Sequence, residues 1–166
     1  MSHKMGKLLF LKLGFSLSDI ATYVNITGII STILGGLFIS KYIENNPIKR
    51  ILYLSTILHT ISIFSYFYIY YANKSYLTLV GTIFFNNFTG GILMTAFMSY
   101  LYSITKTSTS PSTMYAFFWT IYSLGSMFFQ SISGPIVDIY GWINFFIIVV
   151  LIAFLSIFSI IFLRKT

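Results

Sequence analysis

Two adjacent asparagines, Asn86 and Asn87, are the polar side chains of this sequence that most clearly require a chemical role. They lie inside a long apolar segment, where an unsatisfied amide costs several kcal/mol in hydrocarbon. A carboxamide both donates and accepts hydrogen bonds, so the pair predicts either bonding between helices or contact with a bound polar solute. The sequence favours neither alternative. Further candidates for a polar solute path are Asn25, Thr113 and Gln130.

Two titratable side chains could handle protons, but each has a simpler role. His59 lies near the middle of an apolar segment, with no acid at helical spacing, so we interpret it as a hydrogen-bonded packing residue. Asp19 follows Ser16 in a Ser-x-x-Asp pattern, which predicts a capped helix start. The sequence has no Cys, no His-Glu metal motif and no Gly-x-Ser-x-Gly elbow. We therefore predict no catalytic residues, no metal site and no cofactor.

The composition excludes most soluble classes. Hydrophobic residues make up 57% of the 166-residue chain, charged residues make up 8%, and the mean hydropathy is +0.86. Such a chain belongs in a bilayer. The net charge of +7 comes from basic residues at the ends of apolar segments, which is a pattern of membrane topology and not of nucleic-acid binding. We expect an all-α, polytopic helical membrane protein whose main partner is the lipid bilayer.

The apolar segments predict about five transmembrane helices, because about 20 apolar residues are needed to cross the hydrocarbon core. Residues 16–166 are expected to form one membrane domain, and the fifth span, nearly pure Ile, Phe, Val and Leu, is expected to face lipid. Lysines interrupt residues 1–15, which we predict to be a polar, interfacial tail. The five spans are predicted at residues 20–43, 51–71, 77–104, 114–139 and 143–163.

Small residues recur at a spacing of four in two of the spans, which predicts close helix packing. These packing candidates are Gly28, Thr32 and Gly36 in the first span, and Gly91, Thr95 and Ser99 in the third.

Basic residues predict the orientation. Lys41, Lys49 and Arg50 lie in the first loop, and the third loop and the C-terminus carry further Lys and Arg. We therefore expect this face, including the C-terminus, to be cytoplasmic. The lysines of the N-terminal tail would then lie on the opposite side, against the rule. A missing upstream helix would remove that conflict, and carriers are often built from six-helix halves.

Four stretches of the chain, in order, match the pattern of a known family. They are residues 13–21, residues 35–37, residues 84–97, and the segment from Thr113-Met114-Tyr115-Ala116 to Gly141-Trp142 and Phe146. This pattern resembles the second half of AmpG-type muropeptide permeases, a branch of the major facilitator superfamily. The resemblance implies a carrier half that lacks its first helix. The chain departs from the family pattern at Asn86, Met114 and Ser126, where relatives commonly have an acid, a Gln and an Arg.

The resemblance implies an AmpG-like transporter of the bacterial inner membrane that imports a muropeptide or a related small polar solute, with proton coupling in the family. The expected partner of such a truncated or split chain is a complementary carrier half. The alternative is a small membrane accessory protein that packs against other helices, or a non-functional gene remnant.

Overall fold

The computed structural model describes residues 2–72 and 75–161, with the side chains of residues 5–72 and 75–160, and this part of the chain folds into six α-helices and no strand. Four of the helices, α2, α3, α4 and α6, are long and apolar enough to cross a membrane. The predicted all-α helical membrane fold is therefore confirmed. The helices are α1 (Ser2–Lys12), α2 (Leu17–Ile43), α3 (Ile48–Tyr71), α4 (Tyr76–Thr105), α5 (Pro111–Ser131) and α6 (Ser133–Ile161).

A tight connector ends α1. Gly14 adopts a φ of 87°, which only glycine enters readily. Its N–H donates to the carbonyl of Leu11, and the N–H of Phe15 donates to the carbonyl of Phe10. This pair of bonds is a Schellman motif, which satisfies the last carbonyls of α1 and reverses the chain.

The capping pattern predicted at Ser16 and Asp19 is confirmed. The N–H of Asp19 donates to Ser16 Oγ at 3.1 Å, and the N–H of Ser16 donates to the Asp19 carboxylate at 3.4 Å. The same carboxylate accepts a bond from the Tyr76 hydroxyl at 3.0 Å, at the start of α4. The first turns of α2 and α4 are thus joined through one side chain.

The segment predicted as an interfacial tail forms α1 and contributes to the core. Met5, Leu9 and Phe10 are all buried. Gly6 passes so close to Tyr66 that a β-carbon on it would lie 2.8 Å from the ring. Four apolar residues between lysines are too few to predict this packing from sequence, because the partner surface comes from distant helices. Whether the segment lies at the membrane interface stays a prediction.

An aromatic core holds α3 against α6. The Tyr66 ring stacks on Phe146 at a centroid distance of 5.0 Å and an interplanar angle of 9°, and Phe145 and Phe146 are fully buried. The expectation that this helix faces lipid is wrong for its first half, although Leu155 and Phe158 are exposed. A helix that is apolar on every side gives no periodicity from which to predict the buried face.

The segment predicted as the fourth span, residues 114–139, does not form a single helix. Helix α5 ends at Ser131, and α6 begins at Ser133. Pro135 explains the break, because it has no N–H to donate to the carbonyl of Ser131. A second break lies at Gly141, where φ is 78° and ψ is 171°. The break after Ser131 thus divides the predicted fourth span, whereas the break at Gly141 lies between the predicted fourth and fifth spans.

Candidate functional site

Helices α2 and α4 approach each other closely enough for their backbones to touch. A β-carbon on Gly91 would lie 2.2 Å from the carbonyl oxygen of Thr32, and one on Gly35 would lie 2.1 Å from that of Phe88. Real β-carbons do not come this close to backbone atoms. Glycine is therefore required at both positions, and this contact fixes the relative placement of the side chains on either side of it.

All of the packing candidates except Ser99 lie at the contact between α2 and α4. Gly28 faces the Asn87 amide, with 3.5 Å from its β-position to Nδ2, and Gly36 faces Thr95 Oγ1 at 3.0 Å. Thr32 and Gly91 form the backbone contact described above. Ser99 lies further along α4, where it lines a shallow cavity together with Tyr115 of α5. Gly35 was missed by the sequence analysis.

Asn86 of α4 is buried against α3, and both ends of its amide form hydrogen bonds with side chains of that helix. Its Oδ1 accepts a bond from the Tyr66 hydroxyl at 3.3 Å, and its Nδ2 donates to Ser62 Oγ at 3.2 Å. Only 2% of the residue is exposed. Of the two alternatives left open for this amide, its geometry supports bonding between helices.

His59 lies near Asn86, and together with Ser62 and Thr89 these two residues form a polar layer between α3 and α4. Its Nδ1 lies 3.1 Å from Thr89 Oγ1 and 3.4 Å from Ser62 Oγ. These contacts support a hydrogen-bonded packing role, and they also orient the ring beside a cavity. Within the described residues, no three His, Cys, Asp or Glu side chains lie close enough together to hold a metal ion.

The larger cavity of the polar layer has a volume of about 630 Å³ and lies among α2 to α6. Polar side chains on its wall include His59, Asn86 and Asn87, while Phe97 and Tyr122 supply aromatic surface. Most small-molecule sites combine an apolar lining with a few polar groups in this way. The cavity is large enough for a solute of several hundred daltons.

A smaller cavity of about 300 Å³ lies on the other side of the α2–α4 contact. Lys7 of α1, Asn25 and Thr32 of α2, and Asn87 of α4 all line it. Asn87 and Thr32 line the larger cavity as well. The structure thus brings two of the predicted solute-path residues together and adds Lys7, which belongs to the segment predicted as an interfacial tail.

The other two solute-path candidates lie apart from these amides. Gln130 donates its Nε2 to Ser126 Oγ at 2.7 Å, within α5, and Thr113 is exposed in the first turn of that helix. Helix α5 is described in full, and none of its residues is buried. The structure therefore gives no geometry that joins Gln130 or Thr113 to Asn87.

Basic side chains gather at one end of the helices. Lys41 lies in the last turn of α2, Lys49 and Arg50 lie in the first turn of α3, and Lys106 follows the last residue of α4. The C-terminal Arg164 and Lys165, which the orientation prediction also used, lie outside the described residues.

The sequence is similar to transporter proteins of several bacteria, although no family model matches it. It is 30% identical to "Putative transporter AmpG 2" of Rickettsia prowazekii, over 98% of this chain and 40% of that protein. It is 31% identical to "Putative transporter AmpG 1" of the same organism, over 86% of this chain and 32% of that protein. It is 24% identical to the "Anhydromuropeptide permease" of Escherichia coli K12, over 81% of this chain and 27% of that protein.

The chain therefore spans less than half the length of the curated relatives it matches. The similarity runs through nearly all of its own residues, and four of its helices are long and apolar enough to cross a membrane. It is a multi-pass membrane protein.

Proposed function

Because the chain belongs to the family of AmpG-type transporters, we propose that it forms part of a solute transporter and that α2 and α4 line the solute path. The observation that carries this proposal is the position of Asn87. Its amide lies at the backbone contact of two apolar helices and lines a cavity on each side. Polar groups held this deep in a membrane helix commonly mark a substrate pathway.

The proposed solute is a muropeptide or a related small polar compound, imported in a proton-coupled reaction. The name of the E. coli relative supports this class of solute. The chemistry of the cavities supports it as well, since carboxamides and hydroxyls suit the many hydroxyl and amide groups of a sugar peptide.

The rest of the transporter is proposed to come from helices that correspond to the remaining length of the relatives, whether on the same polypeptide or on a second one. A solute site between two carrier halves needs residues from both. We expect a permease-deficient bacterium to recover muropeptide uptake only when this chain is expressed with such helices. Robust uptake by the 166-residue chain alone would contradict this division of the site.

A substitution of Asn87 tests the role of its amide in transport, and the protein level shows whether assembly is affected. In the complemented cells, Asn87→Leu removes the shared amide and is expected to lower the initial uptake rate at least tenfold at an unchanged protein level. Gln130→Leu is the matched control, because this amide bonds within α5 and lies apart from both cavities. Equal uptake by the two variants would refute the proposed path.

The proposed location is the bacterial inner membrane, with the basic end of the helices and the C-terminus in the cytoplasm. The chain has no Cys, so a single introduced cysteine is the only site on this chain that a maleimide can label. Asn45→Cys lies in the exposed α2–α3 loop, and Ser18→Cys lies at the opposite end of α2. In intact cells, a membrane-impermeant maleimide should label Ser18→Cys and spare Asn45→Cys. The reverse labelling pattern would show that the orientation is opposite to the proposed one.

A second candidate function is that of a membrane accessory protein that packs against other helices. Helix α5 favours this alternative, because it exposes large apolar side chains at Phe117, Leu124 and Phe128 and buries none of its residues. Photo-crosslinking from position 124 in the native host distinguishes the two functions. Capture of helices of an AmpG-type transporter supports the first proposal, and capture of an unrelated membrane protein supports the second.

A further inference from the structure

The smaller cavity contains a charged group that the solute path described above does not use. Lys7 of α1 lines this cavity together with Asn25 and Asn87, which lie on α2 and α4. No acidic side chain belongs to the cavity wall in the described part of the chain. The three elements thus bring one ammonium group and two carboxamides to a single concave surface.

The residues of this cavity lie near one end of their helices, within half the thickness of a hydrocarbon core. Helices α1 and α2 meet at the connector after Lys12, and α4 begins beside α2, where Tyr76 bonds to Asp19. At about 1.5 Å per residue, Lys7 lies about 8 Å from the connector along α1, and Asn25 lies about 12 Å from the start of α2. Both distances are shorter than the roughly 15 Å that half of a hydrocarbon core measures.

A lysine among membrane helices is costly unless its ammonium group reaches the headgroups or an anion accompanies it. A lysine offers three N–H donors and a positive charge, and an asparagine amide has two N–H donors, one of which in Asn87 already donates to the carbonyl of Ile83 at 2.8 Å. Donors of this kind match a carboxylate, whose oxygens accept charge-assisted hydrogen bonds that are about twice as strong as neutral ones. A neutral hydroxyl or amide would not compensate the charge of Lys7.

We infer that Lys7 binds a carboxylate of the transported solute, with Asn25 and Asn87 as additional donors to the same group. This inference rests on the proposed function, because it assigns a chemical class to one end of the same solute path. It predicts that acidic solutes are preferred over their neutral counterparts. Lys7 is an exposed side chain of α1 and lies about 160° around the helix from buried Leu9, so it can be replaced without disturbing the core.

The test uses the chain assembled in phosphatidylcholine nanodiscs with the helices that complete the proposed transporter, and two matched probes, anhydro-N-acetylmuramyl-alanine, which has one carboxylate, and its carboxamide. Ligand-detected NMR titration measures the affinity for each probe. The acid should bind about 10- to 100-fold more tightly than the amide, as one charge-assisted hydrogen bond implies. Lys7→Gln should remove this difference, Lys7→Arg should retain it, and Lys12→Gln on the same helix should leave it unchanged.

The outcomes separate the inference from the function on which it rests. Equal binding of acid and amide by the parent chain would overturn the role of Lys7 and leave the proposed solute class standing. Binding of neither probe by any variant would overturn the solute class, and the inference with it. Repeating the titration with phosphatidylglycerol in the nanodiscs tests a lipid phosphate as the anion. Loss of the preference for the acid in those nanodiscs would assign Lys7 to lipid and refute the solute carboxylate.

Discussion

Replacing Gly91 by Ala tests whether the backbone contact of α2 and α4 supports this fold. The added β-carbon would lie 2.2 Å from the carbonyl oxygen of Thr32, whereas ordinary contact begins near 3.4 Å. The two helices must therefore separate locally by about 1.2 Å, which also loosens the second contact, between Gly35 and Phe88. Overpacking of this size costs about 1–3 kcal/mol. Alanine returns up to about 1 kcal/mol of helix propensity, so we expect a net loss of up to about 2 kcal/mol.

The measurement is the free energy of unfolding in mixed detergent and lipid micelles, followed by circular dichroism. Gly81→Ala is the matched control on the same helix, because nothing lies within 4 Å of its β-position, and it should be neutral or slightly stabilising. The double variant of Gly35 and Gly91 should lose less than the sum of the two single losses, since either one separates the same helices. If Gly91→Ala proves as stable as Gly81→Ala, the close contact is wrong.

Two further substitutions test other parts of the structure in the same unfolding assay. Tyr66→Phe removes the hydroxyl that donates to Asn86 and should cost about 0.5–1.5 kcal/mol, while the ring stays stacked; an unchanged stability would show that the amide finds its partner elsewhere. Gly141→Ala forces a side chain into a backbone conformation restricted to glycine and should cost about 1–3 kcal/mol, whereas Gly134→Ala, with open space around it, should not. Equal effects of the two alanines would argue against the break at Gly141.

The sequence predicts the helices far better than their contacts. Long apolar segments bounded by polar loops are local signals, and so is the capping pattern at Ser16 and Asp19, which is why these features can be predicted from sequence. The break after Ser131 was predicted only as a kink at Gly134 and Pro135 within one span, because the apolar pattern continues across these residues. The burial of Phe145 and Phe146 could not be predicted, since it depends on which distant aromatic rings face an evenly apolar helix.

The candidate site shows the same limit. Asn87 and Asn25 were predicted because amides in apolar segments stand out. Gly35 was missed because the prediction used a strict spacing of four residues. Residues at this spacing shift around the helix by about 40° at each step, so after two turns they lie at the edge of the side of α2 that contacts α4. The buried residues of α2 follow steps of four and three, and such a stripe includes Gly28 and Gly35. Lys7 was missed because its partners lie on α2 and α4, and a single lysine near a chain end has no local signal for that contact.

The backbone contact of α2 and α4 has a mechanical consequence. The carbonyl of Phe88 packs directly against Gly35, and the carbonyl of Thr32 packs directly against Gly91. No layer of side chains that could slide or compress therefore separates the two helices at this contact. Packed interfaces of this kind move as one body. In the proposed transporter, any change of shape that carries a solute across the membrane should then leave Asn25 and Asn87 at a constant separation. The movement is expected in elements with fewer buried side chains, of which α5 is the clearest.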